Sequence, residues 1–412
     1  MRPRRFADQG HTDPRAQGSQ RYRDRSPYGY PALDDDQAPD NQALPRSQGV
    51  QPRTRRGRRR DQRRRGWGAS AVLLAALAGM VVSLVLAQIT LPYAIMTPGP
   101  IMDTLGEVGA GGEPLIAVEG AETYPTEGRL NFTTVRVGGG PGNETNVWDY
   151  LSARLSRNAS ILPVDEVFPR GATRTQIREE NQAEMVGSQQ EAAAVALREL
   201  GFAVAETVTI AGASQGSSFA DSLEEGDVVI AMNGVRTDGA DAIRAEVAKT
   251  AIGDDVTVTV LRDGAEVVVE GATIGAEGRP VLGVFLAREF DSDVDVTITA
   301  GDVGGPSAGM MFALGIYDVL TDGALTGGKD IAGTGTINAD GQVGPIGGIV
   351  QKVFGANDGG SDYFLAPAAN CAELQGRIPT GIEVFSIATF DDALAAVEGI
   401  AADNIATLPR CG

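Results

Sequence analysis

The stretch GGPSAG, Gly304 to Gly309, sets one serine among glycines and small residues just ahead of an apolar run, MMFALGIYDVL. A Gly304-Gly305-Pro306 turn opening a helix leaves backbone N–H groups around the Ser307 hydroxyl, and such groups stabilise an oxyanion. The same placement also suits a serine that merely caps the helix. To act as a nucleophile Ser307 needs a base, and the chain of 412 residues holds one histidine, His11. His11 sits near the start, in a segment too polar to fold. Neither a Ser-His-Asp triad nor a histidine metal site is therefore expected.

The remaining base able to activate a serine is a lysine whose pKa burial has lowered. The chain has 35 basic residues, and only Lys249, Lys329 and Lys352 are lysine. Arginine cannot release its proton at usable pH, so the three lysines mark places to inspect. Lys249 falls on a short helix with its side chain read as facing solvent. Lys329 closes a run from Gly323 that mimics the start of a phosphate-binding loop. Asp330 replaces the required Ser or Thr and no strand precedes a helix there, so the run reads as a turn and no nucleotide cofactor is expected. Lys352 lies on a helix entered by Gly-Gly in PIGGIVQKV, flanked by Ile349, Val350, Val353 and Phe354. An apolar setting is what lowers an ammonium pKa.

Charge divides the chain. Residues 1–65 carry 17 arginines against 8 aspartates, a net of +9, which leaves −28 of the total −19 for the remainder. Residues 1–66 are read as a disordered basic cytoplasmic tail, because they cannot bury enough apolar surface to order themselves. Residues 67–91 are read as a transmembrane helix: Ala69 to Ala87 holds no charged residue, and about 20 such residues span a bilayer. A buried core helix and a cleaved signal peptide are the alternatives, the latter disfavoured by the long leader. Arginines on one side only put the N-terminus in the cytoplasm and the rest outside the plasma membrane. The basic run then serves topology and anionic lipid, and no nucleic-acid partner is expected. Cys371 and Cys411 are the two cysteines. Outside the cytoplasm they are expected to pair, two unpaired buried thiols being the alternative.

Residues 92–180 form a juxtamembrane region. YAIMTPGPIMDTLG (93–106) reads as a Pro/Gly-punctuated link, and LIAV (115–118) and RLNFTTVRV (129–137) as strands. Residues 181–200 read as a helix stopped by Gly201. Within 181–276, the order LEEGDVVIAMNGV, a helix near 239–249, and two strands meeting at Arg262-Asp263-Gly264 resembles a PDZ domain. The resemblance implies capture of extended peptide ends by strand addition. It offers Leu200-Gly201-Phe202 as the carboxylate-binding loop, although these residues also serve as a helix stop.

Residues 277–412 alternate strands and helices, with strands near RPVLGVFLA and DVDVTITA before the serine. Here GPSAG, then TGTI, then GQVGPIGGIVQK resembles the proteolytic domain of Lon-type serine proteases, which use a serine–lysine dyad. By motif, Ser307 matches the nucleophile, Lys352 the general base, and Thr334 a threonine that orients the lysine. With the anchor and PDZ-like segment, the chain from Tyr93 is similar to the PDZ-containing, membrane-anchored Lon-like proteases of Gram-positive bacteria (YlbL type). The expected architecture is thus α+β: a transmembrane helix, a PDZ-like β-rich domain and a Lon-type α/β proteolytic domain. Protein or peptide substrates are implied, and homo-oligomeric rings occur among such domains. An inactive PDZ-based scaffold is the rival reading.

Three features depart from that family. No ATPase motif is present, so the expected activity is ATP-independent. Gly304 stands where cytoplasmic Lon enzymes usually carry an acid, with Asp302 nearby but offset. Ser307 also comes only about 30 residues into the last unit, which suggests that residues 115–137 supply missing strands and that the PDZ-like segment is inserted between the two pieces.

Overall fold

The computed structural model describes residues 58–108, 112–214, 216–276, 278–301 and 303–412, with side chains from residue 70 onward. Helix α1 spans Arg58–Leu86. Its first nine residues, expected in the unstructured tail, are mostly Arg and Gln, which favour helix. Among the described residues no helix is long and apolar enough to cross a membrane. Residues 1–57, most of the expected cytoplasmic tail, lie outside the described residues.

After α1 come β1 (Tyr93–Asp103), β2 (Arg129–Gly138), α2 (Val147–Leu155) and β3 (Ser160–Pro163). The reading of 93–106 as a link is corrected: β1 has 11 residues despite Pro98 and Pro100. β3 pairs only with Tyr93–Met96, so both prolines lie where β2 is the sole neighbour. The β1–β2 register also shifts between Pro98 and Ile101, and a bulge absorbs the missing donors.

Helix α3 runs Arg174–Glu199, seven residues longer at its start than the sequence suggested. Thr173 and Gln176 form a reciprocal capping box that fixes this start. Its buried residues begin only at Met185, so the first turns project beyond the core.

The segment after α3 builds its own sheet. Strands β4 (Ala205–Ala213) and β5 (Val228–Met232) precede helix α4 (Ala240–Val247), and β6 (Asp255–Arg262), β7 (Ala265–Ala272) and β8 (Val284–Asp291) follow. Their order is β7-β6-β5-β4-β8. Asp263 and Gly264 both take positive φ, 51° and 80°, the conformation a two-residue hairpin turn demands. Val284–Asp291, beyond the expected boundary at 276/277, pairs along the length of β4. A separate core of Val208, Ile210, Met232, Ile243, Val258 and Val260 holds this unit together.

The remaining elements are α5 (Gly309–Val319), β9 (Asp330–Gly333), the ribbon β10 (Thr336–Ile337) and β11 (Val343–Gly344), α6 (Ile349–Asp358), β12 (Tyr363–Pro367), β13 (Glu383–Ile387) and α7 (Phe390–Ala401). The main sheet runs β13-β12-β9-β2-β1-β3. β2, β9, β12 and β13 pair in parallel, and β1 pairs antiparallel with β2 and β3. Strands from before residue 164 and after residue 329 thus share one sheet.

Both sheet faces are covered, as parallel strands require. Leu365 and Phe385 point into a core with Phe132, Met311 and Val397, on the side of α3, α5 and α7. Phe364, Ala366 and Val384 point the other way, against Ile349 and Val353 of α6. Helix α5 lies deep in the first layer: Met310, Met311, Phe312, Leu314 and Ile316 are all fully buried. That explains its apolar character on every side.

Candidate active site

The loop before α5 and the start of α6 approach one another where β9 ends. Ser307 is half-buried. The cap of α5 is Ala308, with no side-chain hydrogen bond, so Ser307 is not spent as a helix cap. Its carbonyl instead accepts hydrogen bonds from Gly335 N and Thr334 Oγ1, each at 2.9 Å. These two bonds fix the backbone of the serine and leave its hydroxyl free for other work.

Lys352 enters from the first turn of α6, whose cap Gly348 adopts φ +72°. Its side chain is 2% exposed. Nζ lies 2.7 Å from Ser307 Oγ and 2.8 Å from Thr334 Oγ1. Because the Thr334 hydroxyl hydrogen is given to the Ser307 carbonyl, its oxygen can only accept from the lysine, which orients Nζ. Burial alone pulls the Lys352 pKa down to about 7. Among the described residues, no carboxylate pairs with it.

The other two lysines behave differently. Lys249 bonds Glu246 on an exposed helix face, and Lys329 bonds Asp403 at 2.6 Å near the surface. The Asp403 carboxylate holds the Lys329 pKa up. Of the three lysines, Lys352 alone is buried.

The backbone donors of the turn divide clearly. Gly305, at φ +86°, donates its N–H to the Asn181 carbonyl at 2.8 Å, and Met310 donates to the Gly335 carbonyl. Gly309 N–H reaches the Pro306 carbonyl at 3.4 Å. Among the described residues, this leaves the N–H groups of Ser307 and Ala308 without a partner at the start of a helix. A cleft of about 610 Å³ opens beside them, lined by Met96, Met102, Phe132, Met185 and Val303. Ser307 and Lys352 line the same cleft.

Two contacts were not visible in sequence. Asn181 and Ser188, both on α3, hold the loop: Asn181 through its carbonyl, Ser188 by donating to the Pro306 carbonyl at 2.9 Å. Residues 188 and 306 are 118 positions apart, and no local motif announces such a pairing. The same helix explains the glycine where an acid was expected. A Cβ on Gly304 falls 2.8 Å from the Asn181 Cβ, too close for any side chain without movement. Asp302 lies outside the described residues.

Leu200-Gly201-Phe202 does not form a carboxylate-binding loop. Their N–H groups donate to Ala196, Arg198 and Leu197 carbonyls respectively, so all three are consumed in ending α3. Gly201, at φ +81°, is the left-handed stop. Cys371 and Cys411 are joined as a disulfide. Among the described residues no cluster of three metal-ligating side chains occurs.

Comparison with known proteins bears on this geometry. The family model of the Lon protease (S16) C-terminal proteolytic domain matches residues 283–397, and that of the PDZ domain matches 185–271. The chain carries a Lon-type proteolytic domain and a PDZ domain. Ser307, Thr334 and Lys352 all fall inside the first match. Similar relatives include Lon protease of Azospirillum brasilense, 38% identical over 26% of this chain and 14% of that protein. Lon protease 1 of Sorangium cellulosum is 39% identical over 28% and 14%, and Lon protease 2 of Bacillus subtilis 30% identical over 28% and 20%. The chain therefore aligns with 14–20% of the length of these curated relatives. Among solved structures, the PDZ domain of an SdrC-like protein from Listeria monocytogenes is 17% identical, covering 19% of this chain and 85% of its own, at a TM-score of 0.18. A Geobacillus thermodenitrificans structure is 26% identical, covering 19% and 94%, also at 0.18.

Proposed function

We propose that this protein is a membrane-anchored, ATP-independent serine endopeptidase acting through a Ser307–Lys352 dyad on proteins or peptides outside the cytoplasm. The observation that carries the reading is the buried Lys352 Nζ, 2.7 Å from the Ser307 hydroxyl, with no carboxylate paired to it among the described residues. Neutral Lys352 accepts the hydroxyl proton as Ser307 attacks the scissile carbonyl. The Ser307 and Ala308 N–H groups, at the positive end of α5, receive the oxyanion. Protonated Lys352 then gives its proton to the leaving amine, and water releases the acyl group by the same route. Thr334 keeps Nζ aimed throughout.

In this reading the proteolytic unit combines 92–180 with the chain after β8, and the PDZ domain is inserted between them. Peptide recognition falls to the free edge of β8, by strand addition. The proposed anchor is the uncharged run Ala69–Ala87, most of it in α1 and continued by apolar residues to Leu91, with the arginine-rich end cytoplasmic. The Cys371–Cys411 bridge is consistent with an oxidising compartment for the catalytic end.

The test is covalent labelling of purified protein by a serine-directed fluorophosphonate, read beside hydrolysis of a fluorogenic peptide library. Wild type is expected to label at Ser307 and to cleave. Ser307→Ala, Lys352→Ala and Lys352→Arg are each expected to fall by about 10³-fold or more while keeping the wild-type circular dichroism. Cleavage retained in Lys352→Arg would remove the base assignment. An unlabelled wild type that binds peptides would favour the scaffold reading.

A further inference from the structure

Helix α2 reads VWDYLSARL and is held by a full capping box between Asn146 and Asp149. One of its faces is spoken for. Ala153 is buried, and the Tyr150 ring lies 5.2 Å from Tyr93 of β1. At 100° per residue, Trp148, Leu151 and Leu155 fall within about 60° of one another, on the side opposite Ala153. They are 44%, 44% and 87% exposed. A nine-residue helix that is apolar on both faces, with its own protein covering one, needs something apolar against the other.

The chain itself indicates what that is. Trp148 Nε1 donates to the carbonyl of Ser83 at 3.1 Å, and Ser83 lies in the last turn of α1. The strand pair Thr90–Leu91 with Thr145–Asn146 ties the two helices again, just beyond their ends. The side chains of α1 below and beside this point are exposed and apolar: Leu73, Leu77, Met80 and Leu84 are 57–71% accessible. The α2 stripe thus begins where the apolar surface of α1 ends. Ser83 precedes the end of α1 by three residues, roughly 4.5 Å of rise. Interfacial helices sink about 5–10 Å into the boundary between headgroups and acyl chains, where tryptophan concentrates. Arg154 and Arg157, both exposed, stand at the C-terminal end of α2, within reach of lipid phosphates.

We propose that α2 lies flat in the interface of the bilayer that α1 crosses. Its Trp148–Leu151–Leu155 stripe sits among the acyl-chain ends and sets the height and tilt of the proteolytic sheet. This inference rests on the membrane-anchor reading of α1. The occupant is the lipid surface itself, not a second copy of the chain.

The chain has two tryptophans, Trp67 and Trp148, so Trp67→Phe leaves Trp148 as the sole reporter. The full-length variant is reconstituted into phosphatidylcholine–phosphatidylglycerol vesicles, some containing lipids brominated high on the acyl chain. The expected result is blue-shifted Trp148 emission, quenched at least about twofold by bromine and shielded from aqueous acrylamide. Adding Leu151→Asp and Leu155→Asp should reverse all three effects, while alkaline carbonate still fails to extract the protein. Emission open to acrylamide and untouched by bromine in vesicle-bound protein overturns the proposal. Shielding from both quenchers that varies with protein-to-lipid ratio indicates a second copy and overturns it equally. Failure of the anchor reading has a separate signature, namely release by carbonate whatever the state of Trp148.

Discussion

An amine with no counter-charge inside a protein is held neutral by the free energy of keeping an ammonium out of water. For Lys352 the consequence can be followed in both activity and stability. Its folded pKa lies at about 7, against about 10.4 for a lysine in an unfolded chain. Between those values the unfolded chain binds a proton that the folded one does not, so stability falls as pH drops across that window. Below about pH 7 both states carry the proton and the penalty is constant. Every tenfold change in proton affinity between the two states corresponds to about 1.4 kcal/mol. Lys352→Met, similar in shape and uncharged, is therefore expected to be more stable than wild type at pH 6, with the gap narrowing by about 3 kcal/mol at pH 9. Urea midpoints at the two pH values measure it, and a gap independent of pH would mean a charged lysine. In parallel, wild-type kcat/KM should rise about tenfold for each step of one in pH up to pH 7 and then level. The choice of this lysine was readable from its rarity and apolar neighbours. The Thr334 hydroxyl beside Nζ was expected only through the family resemblance, because its place depends on where β9 ends relative to the α5 loop, which residue spacing does not give.

Helices and strands show where local pattern suffices and where tertiary pairing overrides it. The hairpin at Asp263-Gly264 and the second half of α3 follow from turn chemistry and apolar spacing alone. β1 does not: Pro98, Gly99 and Pro100 argue against a strand until one knows that β3 stops at Met96 and leaves that stretch a single neighbour. β8 joins the sheet of β4 although it lies past the expected boundary at 276/277, and only the pairing itself reveals that sheet. α3 is the element on which the site depends most quietly. It grips the Gly304–Pro306 loop through Asn181 in its projecting first half and the buried Ser188 near its middle, and its last turn leads into the sheet of β4–β8. Gly304 is exposed, so a methyl there disturbs little of the core. It does force α3 from the loop, because the new Cβ meets the Asn181 Cβ at 2.8 Å. Gly304→Ala is expected to lower kcat/KM by about 10–100-fold, as a misplacement near 1 Å does. Its melting temperature should stay within a few degrees of wild type, and unchanged kinetics would show that the grip is dispensable.

At the scale of the whole molecule, the main sheet is closed at one edge by the end of the chain. Arg410 bridges to Phe385, Cys411 N–H donates to the Val384 carbonyl, and the Cys371–Cys411 bond locks this tail along β13. An uncovered edge strand invites pairing with other chains, so the tail protects as well as stabilises. The bond also belongs to the mechanics of the site. Cys411 packs in the same cluster as Ile349, Val350 and Val353 of α6, the helix that carries Lys352. Next to Cys371, Asn370 accepts from Ile346 N–H and donates back to its carbonyl, bracing the loop that enters α6. With the cysteines 40 positions apart, chain entropy assigns the bond about 4 kcal/mol. Reductant is therefore expected to lower the urea-extrapolated stability of wild type by about that amount. A Cys371→Ala, Cys411→Ala variant should match reduced wild type and ignore reductant. Because α6 stays packed through its other contacts, the peptidase activity proposed above should survive reduction at 25 °C and fail earlier on heating. Equal stability with and without reductant would mean that the tail is held by its backbone pairing alone.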